Sequence, residues 1–187
     1  MAKRVTILDY GLGNIFSVSR AFEHLGAKVC LASGPDEVLS ASCLILPGVG
    51  AFANGMQGLR QRNLVEPLRT YSASGRPLLG ICLGMQMLVT SSHEFGEHQG
   101  LGIIPGRVVP IAGKTTDGKP LKVPHIGWSQ LTRPAICPSW NGTILAGLPE
   151  HSHTYFVHSY AVVPDREEDR LADTLHGDFR ISAAIYR

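Results

Sequence analysis

A single cysteine held between two glycines, Gly80-Ile81-Cys82-Leu83-Gly84, follows the apolar run from Pro77 and leads into Met85-Gln86-Met87. This spacing suits a sharp strand-to-helix turn that holds one reactive side chain clear of a sheet edge. Glycines flank the corner because a Cβ would crowd so tight a turn. A cysteine at a helix start faces the positive end of the helix dipole, which favours the thiolate nucleophile. The same residues also read as an inert, small hydrophobe between two glycine turns. A second stretch, Leu46-Pro47-Gly48-Val49-Gly50, suits a backbone that presents bare N–H groups to a ligand, or else an ordinary Pro-Gly turn. A third, Tyr10-Gly11-Leu12-Gly13-Asn14, invites a dinucleotide-binding reading. That reading fails: the third glycine would fall on Phe16, and Leu31 and Ala32 stand where an acidic residue would hold a ribose.

These three stretches need a scaffold that brings them together. Val5–Leu8 reads as a strand, and Ile15, Val18, Phe22 and Leu25 form one apolar helix face, with Asn14 as N-cap and Gly26 as stop. Ala27–Leu31 is a second strand, and 41–46 is a continuous apolar run expected to be buried on both faces. Leu64, Leu68 and Tyr71 mark a further helix before the cysteine strand. Strand, turn and helix in this order build a parallel sheet whose glycine-rich turns share one edge, where open α/β sheets bind ligands. After about Ser92 short β-rich pieces take over: 106–111, 143–145, 154–158, 161–163, 171–175 and 179–186, an antiparallel extension. The charge run from Asp165 to Arg170 reads as a solvated loop.

At 187 residues with 44% hydrophobic and 17% charged residues, the chain has the composition of a globular domain. A formal net charge of +2, with scattered basic residues, gives no reason to expect nucleic acid or a membrane surface as partner. Cys30, Cys43, Cys82 and Cys137 form no close-spaced pair, so a zinc knuckle or a redox pair is not expected, and Cys30 and Cys43 read as inert core residues. His151 and His153 share a strand face without an evident third ligand, and no metal site is expected. The start of the chain shows no secretory segment, and the expected location is the cytoplasm, with reduced thiols.

Taken with Pro124-His125-Ile126-Gly127-Trp128 and Tyr155-Phe156-Val157-His158-Ser159-Tyr160, the three stretches closely resemble the glutamine amidotransferase subunit of imidazole glycerol phosphate synthase, of histidine biosynthesis. The resemblance covers essentially the whole length. It implies a class I glutamine amidotransferase fold, flavodoxin-like, as a single domain over residues 1–187: a mostly parallel sheet with helices on both faces and an antiparallel extension. It implies hydrolysis of L-glutamine to glutamate and ammonia, no cofactor, and a partner cyclase with a (β/α)8 barrel that receives the ammonia. Carried over residue by residue, Cys82 is the nucleophile, and the N–H groups of Leu83 and, after a peptide flip, Val49 form the oxyanion hole. Gly50, Gln86, Glu94, Ser159 and Tyr160 hold the substrate, and Asn14 and Trp128 face the cyclase. Plainer readings stand beside these: Gln86 as a surface polar residue, Trp128 as a core plug, His125 and His158 as structural histidines.

The sequence departs from the family in one respect. A cysteine amidase needs a base and a carboxylate that orients it, and the family takes both from a late phenylalanine-histidine-proline-glutamate run that this sequence does not contain. His176, at a Leu-His-Gly turn, lacks a carboxylate at the right spacing. The expectation is either a shortened chain of a normal enzyme or a non-catalytic version that docks on the cyclase.

Overall fold

The computed structural model describes residues 3–187, which fall into two compact units. The first comprises the described residues up to Ser92 with Gly96–Ile103, and the second comprises His93–Phe95 with Ile104–Arg187. Among the described residues no helix is long and apolar enough to cross a membrane.

In the first unit, β1 (Arg4–Leu8), β2 (Lys28–Ala32), β3 (Leu44–Gly48) and β4 (Leu78–Cys82) form a parallel sheet in the order β2-β1-β3-β4. Helices α1 (Ile15–His24), α2 (Pro35–Ser40), α3 (Phe52–Gln61) and α4 (Val65–Ala73) connect the strands, and α5 (Leu83–Met87) leaves β4 directly. A hairpin of β5 (Val89–Ser92) and β6 (His98–Gln99) follows. Alternation along the strands sends Val5, Ile7 and Ile45 to one face, where Ile15, Val18 and Phe22 of α1 pack. Leu8, Leu44 and Leu46 point the other way and are fully buried, as expected of a parallel sheet covered on both faces. Because the strands are parallel, the turns after β1, β3 and β4 lie at one edge of the sheet.

The first helix is capped as expected. Asn14 Oδ1 accepts from the Ser17 N–H at 3.1 Å, and Gly26 adopts φ +79° just past the end. Leu25 is a correction: it is the C-cap, outside the apolar face, and 80% exposed. Cys30 and Cys43 are half-buried rather than core residues, and burial pushes the Cys43 thiol above its ordinary pKa. The helix after Cys82 spans five residues before the chain turns into β5.

In the second unit, β7 (Ile104–Pro110) pairs antiparallel with β10 (Tyr160–Pro164), β8 (His125–Gln130) with β9 (His153–His158), and β11 (Arg170–His176) with β12 (Phe179–Ile185). Leu131, Trp140, Leu171 and Ala172 form its core, and the Trp140 indole N–H donates to the Leu171 carbonyl at 2.7 Å. Two expectations are overturned here. Residues 143–145 are a turn, because the Thr143 hydroxyl donates to the Trp140 carbonyl and accepts the Leu145 N–H, satisfying the backbone locally. The charge run is not wholly solvated: Glu167–Asp169 is a 3-10 turn, and Asp169 and Arg170 are buried, with Arg170 paired to the equally buried Asp173.

Candidate active site

The corner at Cys82 has φ +56° and ψ −117°, a conformation that L-residues other than glycine rarely adopt. Its neighbours explain how the turn closes. A Cβ on Gly80 would lie 2.7 Å from the Met85 N and Cα, and a Cβ on Gly84 would collide with the Leu46 carbonyl. The two glycines therefore let the first turn of α5 fold back over β4 and against β3. Cys82 itself is exposed, while Leu83 is buried as the first residue of α5. The first N–H groups of a helix lack partners within it, so Leu83 and its successors present donors at this corner.

Register places Gly48, the last residue of β3, directly beside Cys82. A Cβ on Gly48 would lie 2.9 Å from the Gly84 N and 2.8 Å from the Tyr10 hydroxyl, so the strand passes the elbow at backbone distance. Beyond Gly48 the packing ends. Val49 is 49% exposed, and Gly50 adopts φ +94° with nothing within 4 Å of where its Cβ would be. Gln86 lies on α5, half-buried. In the first unit the structure thus brings together Cys82, Leu83, Val49, Gly50 and Gln86 at the carboxyl edge of the sheet. Asn14 is exposed at the start of α1, at the same edge.

In the second unit Glu94 is half-buried in the turn after β5, and Ser159 and Tyr160 are half-buried at the junction of β9 and β10. Ser159 accepts the Ile111 N–H at 2.9 Å, and Tyr160 meets Phe95 edge to face at 6.1 Å. Trp128 is 69% exposed and meets Tyr155 edge-on at 5.7 Å, which excludes a role as core plug. On β8 and β9 the exposed residues pair across strands, Ile126 with Val157 and Trp128 with Tyr155, leaving one apolar ribbon face open.

The opposite face of that ribbon holds the histidines. His158 Nδ1 lies 2.9 Å from the Tyr160 carbonyl, which only accepts, so this nitrogen carries the proton. His158 Nε2 then accepts from His125 Nδ1 at 3.0 Å, and His125 Nε2 accepts from the Ser129 hydroxyl at 3.0 Å. His176, from β11, stacks on His125 with ring centroids 4.3 Å apart and donates to the Lys122 carbonyl. Burial first, then the neighbouring imidazoles, pull the His125 pKa down to about 4, and burial lowers that of His158. Every ring nitrogen of the pair is engaged, so both behave as structural histidines.

Comparison with known proteins decides the family. The glutamine amidotransferase class-I family matches residues 6–186. The chain belongs to it. The HisH 1 subunit of imidazole glycerol phosphate synthase from Legionella pneumophila (strain Lens) is 50% identical over 181 residues, covering 97% of this chain and 85% of that one. The HisH subunit from Syntrophotalea carbinolica is 46% identical over 184 residues, covering 98% and 86%, and that from Geobacillus thermodenitrificans is 44% identical over 183 residues, covering 98% and 83%. Within the class-I amidotransferases the chain therefore belongs with the HisH subunits. Its fold matches a solved glutamine amidotransferase with a TM-score of 0.64 at 18% identity, over 95% of this chain and 87% of that one.

One contact at this amidotransferase edge has no signature in the sequence. The Tyr10 hydroxyl, buried, donates to the Pro47 carbonyl at 2.9 Å. A Cβ on Gly58 would meet the Tyr10 ring at 3.1 Å, so α3 closes over the tyrosine only because that position is glycine. Tyr10 opens the first glycine-rich turn, but nothing in sequence spacing links it to a carbonyl 37 residues away.

Proposed function

We propose that the chain is the glutaminase subunit of imidazole glycerol phosphate synthase, hydrolysing L-glutamine and passing ammonia to a cyclase. The observation that carries this reading is the strained, exposed Cys82 beside Gly48, in a chain 44–50% identical to HisH subunits. The Cys82 thiolate adds to the side-chain amide carbon of glutamine, and the carbonyl oxygen takes the negative charge. The N–H of Leu83 and that of Val49, turned inward, stabilise that charge, and two glycines flanking Val49 keep the rotation cheap. Once its nitrogen has taken up a proton, the tetrahedral adduct expels ammonia to leave a thioester, which water hydrolyses to glutamate, returning the Cys82 thiol. Gly50, Gln86, Glu94, Ser159 and Tyr160 hold the amino-acid end. The partner is a (β/α)8-barrel cyclase, docked over Asn14 and Trp128, which uses the ammonia to form imidazole glycerol phosphate and an aminoimidazole carboxamide ribotide. One amidotransferase domain in the cytoplasm does this work.

A second reading rests on a specific observation: the sequence holds no phenylalanine-histidine-proline-glutamate run to supply base and orienting carboxylate. In that reading the polypeptide docks on the cyclase without releasing ammonia. Glutamine turnover by this polypeptide with the cyclase separates the two. Turnover that Cys82→Ser abolishes supports the glutaminase, whereas intact binding without turnover supports the docking subunit. Absence of any complex overturns both.

A further inference from the structure

The turn after β1 reaches across to the strand beside Cys82 through one hydrogen bond, from the Tyr10 hydroxyl to the Pro47 carbonyl at 2.9 Å. We propose that Tyr10 is a positioning residue: by fixing the Pro47 carbonyl it confines movement of the strand to the Gly48–Val49 peptide, which carries the Val49 N–H. The proposal rests on the reading of Val49 as an oxyanion donor.

Three observations support it. First, everything up to Gly48 is held. Pro47 has φ locked by its ring, Gly13 packs against it so closely that a Cβ there would lie 3.3 Å from Pro47 Cγ, and its carbonyl is taken by Tyr10. Second, the two residues between Gly48 and the start of α3 are open, since Val49 is exposed and Gly50 has open space around it at φ +94°. The boundary between clamped and free backbone therefore falls on the peptide that must turn. Third, Tyr10 stays a donor: burial, and then the nearby Cys82, push its phenol pKa well above the ordinary value, so it does not ionise at any physiological pH. Its ring is in turn seated by Gly58, whose Cβ would lie 3.3 Å from the Tyr10 carbonyl oxygen.

The molecule supplies its own control. Tyr71 makes the same kind of bond, from a buried hydroxyl to the Pro77 carbonyl at 2.9 Å, ahead of β4 and at the far end of the sheet. Tyr10→Phe and Tyr71→Phe each delete one such bond, worth roughly 1 kcal/mol, or about fivefold in an equilibrium. The first readout is amide hydrogen exchange in the full chain. Tyr10→Phe should speed exchange at Gly48, whose N–H shares a peptide with the held Pro47 carbonyl, by about fivefold, and Tyr71→Phe should leave that amide unchanged. The second readout, with the cyclase present, is alkylation of Cys82 by a chloroketone analogue of glutamine, whose ketone oxygen becomes an oxyanion when the thiolate adds. Tyr10→Phe should slow alkylation about threefold to tenfold without weakening saturation by the analogue, and Tyr71→Phe should not. Val49→Pro removes the N–H itself and should slow alkylation about a hundredfold.

Unchanged exchange at Gly48 in Tyr10→Phe, or equal effects of both tyrosine variants, overturns the proposal. Wild-type alkylation in Val49→Pro overturns the oxyanion reading instead, whatever the tyrosine variants do.

Discussion

His125 Nδ1 and His158 Nε2 lie 3.0 Å apart on the inner face of the β8–β9 ribbon, and the carbonyl of Tyr160 fixes which nitrogen of the pair holds each proton. With both rings neutral the chain Ser129–His125–His158–Tyr160 engages every ring nitrogen of the pair. A proton added at His158 Nε2 would set two donors face to face, and His176 stacked on His125 adds a third imidazole to the same cluster.

Stability should therefore fall in mild acid. The folded pKa of His125 is lowered to about 4, below its ordinary 6.5, so between these values the unfolded chain binds the extra proton. The stabilisation is fully present above pH 6.5 and is lost as pH falls towards 4, by on the order of 2–3 kcal/mol. Urea midpoints measured from pH 7.5 to 4.5 should drop, and His125→Gln should flatten the drop. A flat wild-type profile over that range sinks the idea.

The strained corner at Cys82 predicts a trade between stability and chemistry. Glycine adopts φ +56° freely, so Cys82→Gly should relieve about 1–3 kcal/mol of backbone strain and give back roughly 0.5–1 to chain entropy. A rise in Tm of a few degrees with loss of the fast thiol labelling at the exposed position 82, the half-buried Cys30, Cys43 and Cys137 remaining, is the expected pair of results. A lower Tm would mean that the corner is not strained.

The buried pair Arg170–Asp173 has side chains only 7% and 3% exposed. Asp173→Ala leaves the buried guanidinium with only the exposed Glu167 carboxylate, 3.8 Å away, and should cost up to about 3–5 kcal/mol in denaturant unfolding, whereas replacing both residues with apolar side chains should recover most of it. Equal loss in the single and double variants would refute the pairing argument.

The open ribbon face predicts a binding phenotype without a folding one. Trp128→Ala should weaken the cyclase complex about tenfold or more by calorimetry while leaving Tm unchanged, since Trp128 is 69% exposed in the free subunit. A large Tm shift, or unaltered affinity, would count against this face as the docking site.

Sequence alone carried the parallel sheet and its edge far, for a physical reason. An elbow and a close strand demand glycine at fixed offsets, so Gly80, Gly84 and Gly48 declare the geometry locally. The strands of the second unit were legible from short β-rich runs, but β8 escaped because Gly127 and the polar Ser129 and Gln130 mask its alternation. Thr143–Leu145 misled in the other direction, since a β-branched residue whose hydroxyl caps its own turn looks like strand. The burial of Arg170 depends on meeting Asp173 in a hairpin, and the bond from Tyr10 to Pro47 joins residues with no sequence relation at all. Tertiary partners of this kind leave no periodic signature.

The uncovered side of the β8–β9 ribbon also bears on how such a subunit must be supplied. Ile126, Trp128, Tyr155 and Val157 make a sticky strip on a narrow two-stranded element. Copies made in excess of whatever covers that strip would find one another instead. With the cyclase docked there as proposed, matched synthesis of the two components would serve solubility as much as catalysis, and an orphaned copy would fall to chaperones and proteases.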